Sequence, residues 1–91
     1  MTHTVTVALP AAEVLARAKR FFAERLPAQA AFPEKEGPQF VVLRGQGGEE
    51  VVISTAAAGD ATRVRASTLF FDQAIDRFLS TLPVTSAVEV A

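Results

Sequence analysis

Few side chains in this sequence have obvious chemical capacity, and each has a plainer role beside its chemical one. His3 is the one histidine, a residue type suited to general-base work near neutral pH. It stands near the start of the chain, where flexibility is expected, with no nucleophile signature around it. Asp72 and Asp76 are one helical turn apart, a spacing that suits acid–base carboxylates or a cation. On a helical wheel they fall on the solvent side with no third ligand in view, so they read as surface charge. Glu49-Glu50 reads as the solvated start of a strand. "GQGG" at 45–48 superficially resembles a phosphate-binding loop. Such loops lead into a helix whose N-terminus holds the anion, whereas here a strand follows, so a hairpin turn is expected. The absence of cysteine removes disulfides, thiolate zinc ligation and thiol catalysis. No cofactor or metal site is expected.

The arginines pose a sharper question. Arg63 and Arg65 share one face of a strand, opposite Val64 and Ala66, and Arg44 lies on another strand. They could bind an anionic ligand or pair across an interface, since the guanidinium fork suits carboxylates. The plainer reading is solubilising charge.

The elements that position these groups follow from apolar periodicity. In "HTVTVAL", Val5, Val7 and Leu9 alternate with Thr4, Thr6 and Ala8, as in a half-buried strand. Pro10 suits the first position of a helix over 10–26, whose stripe includes Val14, Leu15, Ala18, Phe21 and Phe22. Glu13 with Arg17 and Arg20 with Glu24 are spaced as i,i+4 pairs, and Pro27 ends the helix. "AAFPEKE" at 30–36 is a weak strand. Pro33 cannot donate to a ladder, so this strand belongs at an edge or carries a bulge. Strands are expected at 39–44, 49–57 and 61–68, joined by short turns. The second helix spans 69–82, with Thr68 as its N-cap and Phe70, Phe71, Ala74, Ile75, Phe78 and Leu79 on one face.

The order β-α-β-β-β-β-α predicts one α+β domain over 1–83, followed by a tail at 84–91. Its antiparallel five-stranded sheet should carry both helices on one face. A chain of 91 residues supports one modest core. All seven aromatic residues are phenylalanine, which suits a dry core more than a polar pocket.

The run "GDATRVRAS" leads directly into "LFFDQAIDRFLSTL", and an opening strand passes through Leu9-Pro10 into the first helix. In this the chain resembles the helix-grip domains of the START/Bet v 1-like (SRPBCC) superfamily. The resemblance implies an apolar ligand held between a curved sheet and the last helix. The same element order is similar to one half of TATA-binding protein. The superfamily's members usually have more residues, more strands and a longer last helix. No active-site residue of that family maps onto this chain.

The remaining signal is a surplus of apolar side chains. If Val51, Ile53, Val64 and Ala66 face the helices, then Val52, Ser54, Ala56, Arg63 and Arg65 face away. In "FVVL", Val41 and Leu43 inward would place Phe40 and Val42 on that second face, and the opposite register would swap the pairs. Exposed apolar patches of this kind often mark interaction sites. The expected use is sheet-mediated self-association into a homodimer, with a small apolar molecule as a companion ligand. An enzyme of cyclase or hydrolase type acting on an apolar substrate is the alternative. A nucleic-acid-binding saddle is disfavoured by the net charge of −1, so no nucleic acid partner is expected. No segment approaches the roughly 18 apolar residues of a membrane span, and "MTHTVTVALP" lacks a basic leader region. The expected location is therefore cytoplasmic, without a membrane partner.

Overall fold

Alternation in the strands and 3.6-residue periodicity in the helices produce the expected order, with one addition. A computed structural model describes residues 2–24, 30–69, 71–83 and 89–90. The elements are β1 (Thr2–Val7), α1 (Ala11–Glu24), β2 (Ala31–Gly37), β3 (Phe40–Gly45), β4 (Glu50–Ala58), β5 (Ala61–Thr68), α2 (Asp72–Leu79) and β6 (Glu89–Val90). The antiparallel sheet runs β2-β3-β4-β5-β1-β6. Five of these strands are the expected ones. The sixth comes from the tail, where His3 and Thr4 pair with Val90 and Glu89.

Strand parity decides which side chains are sheltered. Val5, Val7, Val41, Leu43, Ile53 and Val64 point to the helix side, with at most 1% exposure. They meet Val14, Ala18 and Phe22 from α1 and Ala74, Ile75 and Phe78 from α2, all buried in one cluster. Phe22 and Phe78 rings lie 6.0 Å apart, and Phe21 lies 5.5 Å from each. Tilted and edge-on ring pairs of this kind add to the area term.

The turns match their residues. Gly59 has φ +63° and no non-glycine described residue has positive φ. With Ala58 paired to Ala61, this fits a two-residue hairpin with glycine first, whose twist matches the flanking strands. β2 is both an edge strand and a bulged one: its register shifts between Pro33 and Lys35. Pro33 therefore weakens the ladder where the weakening costs least.

The second helix is shorter than its apolar stripe predicts, running Asp72–Leu79 instead of 69–82. Phe71 occupies the N-cap without a side-chain cap bond. Thr68 remains paired in β5 opposite Val51. Its hydroxyl donates to the Glu50 carbonyl at 2.9 Å and accepts the Phe71 N–H at 3.2 Å. It thus ties strand to helix from three residues ahead of the observed N-cap. Of the positions expected in the helices, Arg25, Leu26 and Phe70 lie outside the described residues, as does the helix stop at Pro27.

Candidate functional site

The face of the sheet opposite the helices is built by register alone. Val42 pairs with Val52 and Phe40 with Ser54. β5 then places Ser67 beside Val52, Arg65 beside Ser54 and Arg63 beside Ala56. β1 closes the rows with Thr2, Thr4 and Thr6 opposite Ser67, Arg65 and Arg63. Directly opposed side chains on one face have Cβ atoms about 4.5–5.5 Å apart. Phe40, Val42, Val52, Ser54, Ala56, Arg63 and Arg65 therefore share one surface. The sequence left the β3 register open; the structure resolves it with Val41 and Leu43 inward.

That surface has two halves. On the β2–β4 side lie Val42 and Val52, both half-buried, and Phe40, which is 39% exposed. The Phe40 ring covers Gly37: a Cβ there would come within 2.5 Å of it. Phe32, 51% exposed and opposite Arg44, extends this half. Sequence reasoning missed it, although alternation with the buried Ala31 places it outward. On the β5–β1 side lie the two arginines among hydroxyls. Val52, Ser54, Arg65 and Ser67 line a shallow open depression of about 240 Å³ where the halves meet.

The arginines differ in their partners. Arg44 donates to Glu34 at 2.6 Å, to Glu50 at 3.1 Å and to the Gly48 carbonyl at 3.0 Å. The hydrogen bond from Arg44 holds the Glu34 carboxyl below its ordinary value, and the same bond raises Arg44. Arg63 and Arg65 have no carboxylate partner among the described residues. Arg44 thus staples a corner of the sheet, while the other two keep their donors available.

His3 departs from its expected place. It is 3% exposed, inward-facing in β1, and sits under α2. Its Nε2 lies 3.1 Å from an Asp72 carboxylate oxygen and its Nδ1 lies 3.5 Å from one of Asp76. The two aspartates, expected to be plain surface charge, therefore flank a buried imidazole. Strict alternation with Val5 and Val7 was the signal that His3 faces the core; proximity to the chain start concealed it. Among the described residues, no group of three or more potential ligands could hold a metal ion. No described helix is long and apolar enough to cross a membrane.

A second depression of about 270 Å³ lies along α1, lined by Glu13, Arg17, Arg20, Phe21 and Thr81. Its one carboxylate, Glu13, already accepts a 2.9 Å bond from Arg17. The space between sheet and helices, where a helix-grip resemblance would place a ligand, is filled by Phe22, Phe78, Ile75 and Leu79.

No protein-family profile, no curated protein and no solved structure matches this chain.

Proposed function

We propose that this chain is a non-catalytic interaction module that self-associates through the open face of its sheet and takes a small ligand there. The observation that carries this reading is the Val42–Val52 pair with Phe40 beside it, on the one face the helices leave uncovered. Association would remove that apolar surface from water, the main favourable term in such contacts.

Face-to-face packing suits the molecule better than edge-to-edge pairing. The β2 edge carries Pro33, a bulge and the charges of Glu34, Lys35 and Glu36, all of which discourage strand addition. Five strands about 4.8 Å apart, each of about 20–30 Å, give the face a projected area of roughly 500–700 Å². Side-chain relief adds to this, approaching the about 800 Å² per partner of a standard interface. A net charge of −1 leaves two copies with little mutual repulsion.

The helix-grip resemblance, the homodimer and the cytoplasmic location belong to this proposal as well. The resemblance lends it a fold that takes small ligands, although the ligand position favoured here is the outer face. The enzyme alternative needs reacting groups at an opening, and the one imidazole is sealed beneath α2.

Sedimentation equilibrium at micromolar concentration tests the proposal. The wild-type chain should sediment as a dimer. Val52→Glu should weaken association by about tenfold or more, since an unpaired carboxylate would enter the contact, with the far-UV circular dichroism spectrum unchanged. A strictly monomeric wild type overturns the reading.

A further inference from the structure

We infer that the outer face is a binding site for a small amphipathic carboxylate, with Arg65 as its anion anchor and the Val52–Val42 pair as the floor for its apolar tail. The inference deepens the self-association reading and rests on it for the roof of the site.

Three observations converge on this site. Arg65 stands between Thr4 and Ser54 on neighbouring strands, with Ser67 and Arg63 two residues away on its own strand. A guanidinium fork flanked by hydroxyls is a donor-rich surface that matches a carboxylate. Arg65 and Arg63 also lack a carboxylate partner among the described residues, whereas Arg44, on the same sheet, has two. Among the described residues, no acidic side chain lies against Arg63 or Arg65. The 240 Å³ depression, finally, is lined by Arg65 and Ser67 from β5 and by Ser54 and Val52 from β4, with Arg65 and Val52 at its diagonal corners. Charge and apolar surface thus meet within the length of a short-chain acid.

The same features link ligand to dimer. Packing two such faces together would bury the arginines of both copies, and buried charge without a partner is costly. A bound carboxylate at each Arg65 offsets part of that cost. The depression on one copy is smaller than the about 300–1,000 Å³ of enclosing ligand pockets, and a second copy would close it. Ligand and association should therefore reinforce one another, as linkage requires.

The full chain can be titrated with octanoate, using octan-1-ol and inorganic phosphate as controls. Nuclear magnetic resonance would follow the Arg65 Nε–H and the amides of Val52 and Ser54, and sedimentation would follow association. Octanoate should shift these signals and strengthen the dimer, octanol should not move Arg65, and phosphate should bind more weakly. Arg65→Ala, an exposed position, should keep the fold and lose octanoate affinity by about 10- to 100-fold, the range for a charge-assisted bond. A dimer whose Arg65 ignores octanoate overturns the site and leaves the association reading standing. A monomer whose Arg65 still responds overturns the association and its roof, and keeps the anion anchor. Equal responses to octanol, or shifts centred on Phe22 and Phe78, overturn the assignment to this face. Phosphate binding as tightly as octanoate overturns the amphipathic class.

Discussion

Val41 and Val42 are identical side chains, adjacent on β3, with opposite surroundings. Val41 is fully enclosed by helix side chains, while Val42 is half-buried beside Val52 on the open face. The same contrast runs through the sheet: Ile53 against Val52 and Ser54 on β4, Val64 against Arg63 and Arg65 on β5. The inner face carries close-packed apolar groups whose removal is felt directly by stability. The outer face carries apolar groups, hydroxyls and two guanidinium groups without a carboxylate partner among the described residues, which contribute little to holding the monomer together. The difference teaches that one period-2 pattern can encode both a core and a contact surface, and that only the position of the helices separates them.

The strongest break of this contrast is on the inner face. Phe78→Ala removes a fully buried ring packed against Phe21 and Phe22 and should cost about 3–5 kcal/mol, read from urea denaturation. That is a large share of the about 5–14 kcal/mol expected for a domain of this size. Val41→Ala and Val42→Ala sharpen the comparison with a matched pair. The first should cost about 2 kcal/mol and the second no more than about 0.5 kcal/mol in the monomer; equal losses would erase the distinction between the faces.

Asp72→Ala tests the polar rim of the inner face. It leaves the buried His3 ring without its 3.1 Å acceptor and should cost about 1–3 kcal/mol in the same assay. The smallest effect belongs to the exposed Arg44 cluster. Glu34 is held below its ordinary value of 4.5 in the folded chain. Its contribution is therefore present above the unfolded value and is lost as pH falls from there through the lowered folded value. The acid limb of a pH–stability curve for Glu34→Gln should differ only slightly from wild type, as exposed pairs do.

Much of the fold was legible because short-range rules decide it. Alternation located β3, β4 and β5 to within a residue or so of their bounds, since a half-buried strand leaves no freedom in parity. Pro33 announced an edge strand or a bulged one because it lacks an N–H, and β2 is both. The same alternation put Val52, Ser54, Ala56, Arg63 and Arg65 on one face, while the choice between Phe40 with Val42 and Val41 with Leu43 stayed open. What escaped were features that depend on where one element meets another. The α2 stripe predicted a longer helix because apolar periodicity continues past the backbone turn that Thr68 makes. Phe32 was overlooked since its strand is irregular. His3 and the two aspartates are separated by 69 residues or more in the chain, and no local rule brings them together.

By itself the sequence determined the order of the first seven elements, the alternation within the strands and the existence of more apolar surface than two helices can shelter, because those follow from side-chain spacing along a continuous backbone. Tertiary structure alone decided that β1 inserts beside β5 and carries His3 under α2, that Arg44 finds two carboxylates while Arg63 and Arg65 find none among the described residues, and that Val42 meets Val52. Each of these is an outcome of how separate elements meet, some distant in the chain and others, such as Arg44 with Glu50, across a single hairpin turn. Its free energy depends on which surfaces come into contact, and one strand's composition does not specify that.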